Sequence, residues 1–287
     1  MTRLPAAVVA ALVFVGALTV LPRAVAPPRP EIVQAKQARA ATALMRAERW
    51  ADALTPTQAL AAQYPASHIY AEQLAVIHHH LRRDADEAHA WELFITTSPT
   101  PSEACPQIGE AYRRMNATAR AVDAFDRCLA FEPDNPDLLF YAARAAEWVE
   151  KVDRAEQLYR RALAADARNM DVQLGLARVR LHQGDPGQAL AGARIVLEQQ
   201  PADADACLVA GLAALKLDRA ADARGYFERG LVTNETYPDL HLGLGMVEEA
   251  ERHGAAARAQ YERALALDAT RADIRQRLNR LTEGGAR

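Results

Sequence analysis

Cysteine is scarce in this chain, with three residues among 287. Three cannot build a disulfide-held miniprotein, and none falls in a CxxC zinc pattern. Aromatic residues are also few, at 6%. There is no basic excess: 34 Lys and Arg stand against 37 Asp and Glu, a formal charge of -3. That balance argues against a general nucleic-acid binder. The chain has no HExxH, nucleophile elbow, P-loop or dinucleotide fingerprint. No enzymatic reaction, metal or cofactor is therefore expected. What is present is ordinary for a folded protein: 50% hydrophobic and 25% charged residues, in a chain long enough to bury a core unaided.

Leu4 to Leu21 carries no charge. The run exceeds the roughly 7–15 apolar residues of a signal peptide's core and reaches the roughly 17–25 that span a bilayer as a helix. Ala24-Val25-Ala26 has the small-x-small form of a cleavage site, but Pro27 follows directly and disfavours cleavage. Residues 1–26 are expected to be a single membrane anchor, with a cleaved signal peptide as the alternative. Membrane contact would run through residues 4–21. Arg23, Arg29, Lys36 and Arg39 outnumber Arg3 across the run, which by the positive-inside count favours a cytoplasmic body. The layout of basic start, apolar run and AxA site favours export. The expectation is a body in the periplasm, either anchored to the inner membrane or secreted. Pro27-Pro28-Arg29-Pro30 suggests a stiff linker over 27–33.

Beyond Glu31 the chain reads as helical, with Pro and Gly falling mostly between alanine- and leucine-rich stretches. It also repeats. Asp137, Asp171, Asp205, Asp239 and Asp273 are spaced by 34 residues. Ala121, Ala155, Ala189, Ala223 and Ala257 keep the same step, as do Leu129, Leu163, Leu197, Leu231 and Leu265. Large side chains recur at Trp91, Phe125, Tyr159, Phe227 and Tyr261, with Ala193 as the gap. Small residues recur at Ala75, Gly109, Ala143, Ala177, Gly211 and Gly245. Two antiparallel helices approach closely only at small residues, and the aromatic and the leucine four positions later share a helical face. One hairpin cannot hide that face, so neighbouring hairpins must stack.

The columns resemble the tetratricopeptide repeat family, most clearly from Pro136 to Asn169, with Ala143, Ala155, Tyr159 and Ala162-Leu163 in the family's places. The early tryptophan column departs, holding Cys105, Leu139, Gln173, Cys207 and His241, and the closing proline gives way to Ala167, Glu235 and Ala269. The step of 34 sets about seven helix pairs over residues 34–271. The first two are expected to be degenerate, because Ala53 and Leu60 fit poorly and Glu87 replaces an alanine. A polar-faced capping helix and tail are expected over 272–287. The resemblance implies an all-α, right-handed superhelical α-solenoid of antiparallel helix pairs whose first helices line the concave side.

The inner positions then hold Glu103, Arg113 and Arg114; Phe140, Tyr141, Arg144, Glu147 and Trp148; Leu174, Arg178 and His182; and Leu208, Leu212 and Leu215. Arginines beside aromatics suit a segment with acidic and apolar residues. The peptide-binding candidates are Arg113, Phe140, Tyr141, Arg144, Trp148, Arg178 and His182, bound across repeats three to six. The alternative is that the aromatics are packing residues and the arginines a solvated face.

The aspartate series suits helix starts and is too spread for one metal ion. His78-His79-His80 cannot share a metal, because adjacent helical residues point apart. Cys105 and Cys128 lie near ends that antiparallel packing brings together. They form either a disulfide, if the body is exported, or two of three buried thiols.

The expected function is noncovalent capture of a protein or peptide, as a scaffold in an envelope assembly. Family resemblance extends to members acting in cytochrome c maturation, pilus biogenesis and outer-membrane or polysaccharide assembly. The alternatives are a regulatory subunit of a separately encoded enzyme, a chaperone-like client binder, or self-assembly through the first repeats.

Overall fold

A computed structural model of the protein describes residues 30–284. These form seven antiparallel helix pairs and a final helix, with no strand. The pairs are α1 (Pro30–Arg46) with α2 (Trp50–Gln63), α3 (His68–His80) with α4 (Asp84–Thr97), and α5 (Cys105–Arg114) with α6 (Thr118–Phe131). They continue as α7 (Pro136–Trp148) with α8 (Val152–Ala165), α9 (Met170–His182) with α10 (Pro186–Gln199), α11 (Ala204–Lys216) with α12 (Ala220–Thr233), and α13 (Pro238–Ala250) with α14 (Gly254–Leu267). α15 (Ala272–Gly284) packs on α14 and buries Ile274.

Each helix packs on the one before and the one after it, giving one α-solenoid. First helices of consecutive repeats, from α5 through α7, α9 and α11 to α13, also touch one another. They therefore lie on the inner side of the curve.

Side chains cap the starts of three first helices, α7, α9 and α11. Asn135 accepts from the backbone N–H groups of Asp137 and Leu138, Asn169 from Val172, and Asp203 from Ala206. Such caps contribute about 1 kcal/mol each. The turn inside every hairpin closes the same way, through one left-handed residue: Glu48, Arg82, Asn116, Glu150, Gly184, Asp218 and Arg252. The next residue donates back five positions, as in Lys151 N–H to Ala146 C=O.

The aromatic column explains the glycines. A Cβ on Gly109 would stand 2.0 Å from the Phe125 ring, one on Gly211 2.4 Å from Phe227, and one on Gly245 2.3 Å from Tyr261. The rings also press on the following repeat: Gly175 lies against Tyr159 and Gly243 against Phe227. Each ring is thus a wedge between its own first helix and the next. The close approach expected between two small residues is mainly an approach of small residue to ring. At the Ala193 gap a different seam forms, where a Cβ on Gly192 would stand 3.0 Å from that of Ala177.

The structure differs from expectation at the start of the first repeat. α1 begins at Pro30, inside the stretch read as linker 27–33; proline suits the first turn, where its missing N–H would be unpaired anyway. The first two repeats, whose sequence columns depart from the rest, still fold as helix hairpins, and Ala53, Leu60 and Glu87 are all buried within them. The third repeat is the uneven one, opening with a 3-10 turn (Pro101–Ala104) before Pro106 sits in the first turn of a short α5.

Among the described residues no helix is long and apolar enough to cross a membrane. The expected anchor or signal (residues 4–21) and the last residues of the tail lie outside them.

Candidate functional site

Four adjoining hollows form a groove along the inner face. The first is lined by residues including Phe125, Tyr141, Arg144 and Trp148. The second shares Arg144 and Trp148 and adds Phe140, Glu147, Asp171, Leu174, Arg178 and Asp205. The third reaches His182 through Trp148 and Arg178. The fourth joins Arg178 and His182 to Leu181, Leu212, Leu215, Lys216 and Met246. Charge and aromatic rings thus dominate repeats three to five, and aliphatic side chains dominate repeats six and seven.

Six of the seven residues expected to bind a peptide line this groove: Phe140, Tyr141, Arg144, Trp148, Arg178 and His182. Arg113 lines none of the four hollows. It is exposed and paired to Glu110 on its own helix, at 2.6 and 2.7 Å. One residue later, Arg114 takes the inward place. A difference of one position turns a helical side chain by about 100°, enough to leave the groove.

The two groove arginines differ. Arg178 Nε and Nη2 donate to Glu147 Oε1 and Oε2 at 2.9 and 2.8 Å. Tyr159 donates its hydroxyl to the same carboxylate at 2.6 Å. These hydrogen bonds to Glu147 raise the Arg178 pKa further above its ordinary value. Burial, reinforced by the Glu147 charge, raises that of Tyr159. Arg178 is already engaged. Arg144 makes no hydrogen bond or ion pair with another described residue; its guanidinium carbon lies 5.7 Å from the Phe140 ring centroid and 5.9 Å from that of Trp148.

Sequence reasoning missed the end of the groove nearest the first repeats. Glu87 is buried there and is held by Arg114 at 2.5 Å and by His79 Nδ1 at 3.2 Å. Arg114 also donates to Asp84 at 2.7 Å. Burial lowers the Arg114 pKa, and the hydrogen bonds to Asp84 and Glu87 outweigh it, so the net shift is upward. The available signal was a glutamate in an alanine column with an arginine one repeat later. The histidine run does split: His78 is buried, His79 meets Glu87, and His80 stacks on Trp50 at 3.8 Å.

Cys105 and Cys128 are joined by a disulfide, with Cα atoms 6.1 Å apart, and Cys207 is a buried free thiol. The bridge ties the start of α5, beside groove residues Pro106 and Gln107, to the end of α6.

Residues 149–207 match the family described as Tetratricopeptide repeat. The fold is that of a tetratricopeptide-repeat solenoid. A tetratricopeptide repeat protein from Parabacteroides merdae is similar over 87% of this chain and 98% of its own, with a TM-score of 0.69 at 13% identity. PilW, a type IV pilus biogenesis factor, is similar over 71% of this chain and 94% of its own, with a TM-score of 0.54 at 20% identity. Pseudomonas aeruginosa pilF is similar over 63% of this chain and 84% of its own, with a TM-score of 0.53 at 23% identity. At these identities the likeness is one of fold. No curated protein matches the sequence, and none of these comparisons indicates a catalytic family.

Proposed function

We propose that this protein is a binding scaffold that holds a segment of a protein partner in its inner groove, within an assembly of the cell envelope. The observation that carries this reading is the run of four joined hollows across consecutive first helices, with Trp148 half-buried at the centre of three of them. Aromatic side chains in such positions are the usual anchors of protein recognition. Tetratricopeptide-repeat proteins generally act by binding other proteins, and one solved structure of similar fold is a pilus biogenesis factor.

The envelope placement rests on two features. The apolar run at residues 4–21 suits export or anchoring. A disulfide within a repeat hairpin suits an oxidising compartment such as the periplasm.

Affinity recovery of the tagged full chain from its native envelope tests the reading. One partner should be recovered in stoichiometric yield with the wild-type chain and lost with Trp148→Ala. His182→Glu, a change at an exposed groove residue that leaves the core intact, should also lower recovery. Equal recovery with all three chains would overturn the groove as the binding surface.

A further inference from the structure

Resting on that reading, we infer that Arg144 selects an acidic side chain from the interior of the bound segment, and that the residue beside this acid is apolar or aromatic and fills the hollow of Phe125, Tyr141 and Trp148. Three observations carry this.

The first is availability. Arg114 is held by Asp84 and Glu87, Arg113 by Glu110, and Arg178 by Glu147. Arg144 alone among these four has no carboxylate within ion-pair distance among the described residues. A guanidinium lying on aromatic rings keeps its hydrogen-bonding edge for a carboxylate.

The second is the distribution of acids. On one side of Arg144, Glu87 and Glu110 are already neutralised by Arg114 and Arg113. On the other, Asp171 and Asp205 line the second hollow, and neither has an ion pair among the described residues. Tyr237, a neutral donor, gives its hydroxyl to Asp205 at 2.5 Å. A second ligand acid there would meet like charge. The segment therefore carries one acid, not an acidic run.

The third is that the groove does not stop at Arg144. This residue lines both the first and the second hollow, and the groove runs on to the Leu212, Leu215 and Met246 hollow. A chain end is not needed to reach the guanidinium, because there is room for the chain on both sides. The carboxylate belongs to an Asp or Glu side chain.

A random dodecapeptide library displayed on phage, with every peptide joined to coat protein at its C-terminus, tests this on the full chain. Wild-type protein should enrich peptides with one Asp or Glu next to an aromatic or aliphatic residue. Arg144→Gln should abolish the preference for the acid while keeping the apolar one, and Arg144→Glu should replace it with a preference for Lys or Arg. Arg178→Gln should leave the acid preference in place. The enriched sequence, made as free peptide, should bind wild-type at least tenfold more tightly than its Gln counterpart, with free and amidated C-termini equivalent. Acid preference that survives Arg144→Gln, or binding that requires a free C-terminus, would overturn this assignment and leave the groove reading intact. No enrichment, or enriched peptides that bind the Trp148→Ala and His182→Glu chains as well as wild-type, would overturn the groove reading and this assignment together.

Discussion

Cys207 faces Gly230 across the same helix crossing that Cys105 and Cys128 bridge three repeats earlier. Both members of the pair are displaced by 102 residues, 207 less 105 and 230 less 128. A Cβ on Gly230 would stand 3.0 Å from the Cys207 Cβ. The crossing of first and second helix is therefore one structural position, filled by a disulfide in one repeat and by thiol over glycine in another.

Gly230→Cys is expected to form a second disulfide on oxidation, once Leu240, 2.9 Å from the new Cβ, gives way. Closing a loop of this size is worth about 3 kcal/mol by chain entropy, less any strain. Titration should find no free thiol in the oxidised variant and one in the wild-type chain. The variant's melting temperature should rise on oxidation relative to its reduced form.

Two glycines of one hairpin should respond oppositely to alanine. Gly211 lies under Phe227, and its new Cβ would stand 2.4 Å from the ring, so Gly211→Ala should destabilise by about 1–3 kcal/mol. Gly225 lies within α12 and faces open space. Gly225→Ala should stabilise by up to about 1 kcal/mol through helix propensity alone. Denaturant unfolding of the two variants measures both.

His78 should make the chain sensitive to mild acid. Burial pushes its pKa below 6.5; Asp86 and Glu87 pull it up and Arg83 pushes it down, without overcoming burial. The unfolded chain therefore takes up a proton in a range where the folded chain does not, and stability falls as pH drops below about 6.5. The loss of melting temperature between pH 7.5 and pH 5.5 should be smaller in His78→Gln than in wild-type. An equal loss would assign the acid sensitivity to other groups.

The parts of the fold legible in the sequence are those in which one residue type answers one physical demand in every repeat. The alanine column tolerates nothing larger between packed helices, and Ala121, Ala155, Ala189, Ala223 and Ala257 are all fully buried. The left-handed turn position kept the same step of 34 yet left no readable column, because Glu, Arg, Asn, Gly and Asp all occupy it. The surrounding hydrogen bonds impose that conformation, so residue preference does not reveal it.

The groove was legible as a set of columns but not as a set of pairings. Arg144 and Arg178 occupy equivalent positions and look equal in sequence, yet Glu147, itself held by Tyr159, occupies only one of them. Glu87 read as decay of the repeat because its compensating Arg114 comes from the next hairpin. Partnerships across repeats depend on how far each side chain reaches over the seam, and a column of residue types does not contain that distance.

The inner face, and not the outer one, is the surface proposed to meet the partner. A photoreactive amino acid placed at His182, exposed on the groove, and in a second chain at Ile195, exposed on a second helix, tests it in the intact native cell. Position 182 should give a discrete crosslinked adduct and position 195 none. Adducts from 195 alone, or equal adducts from both, would contradict it.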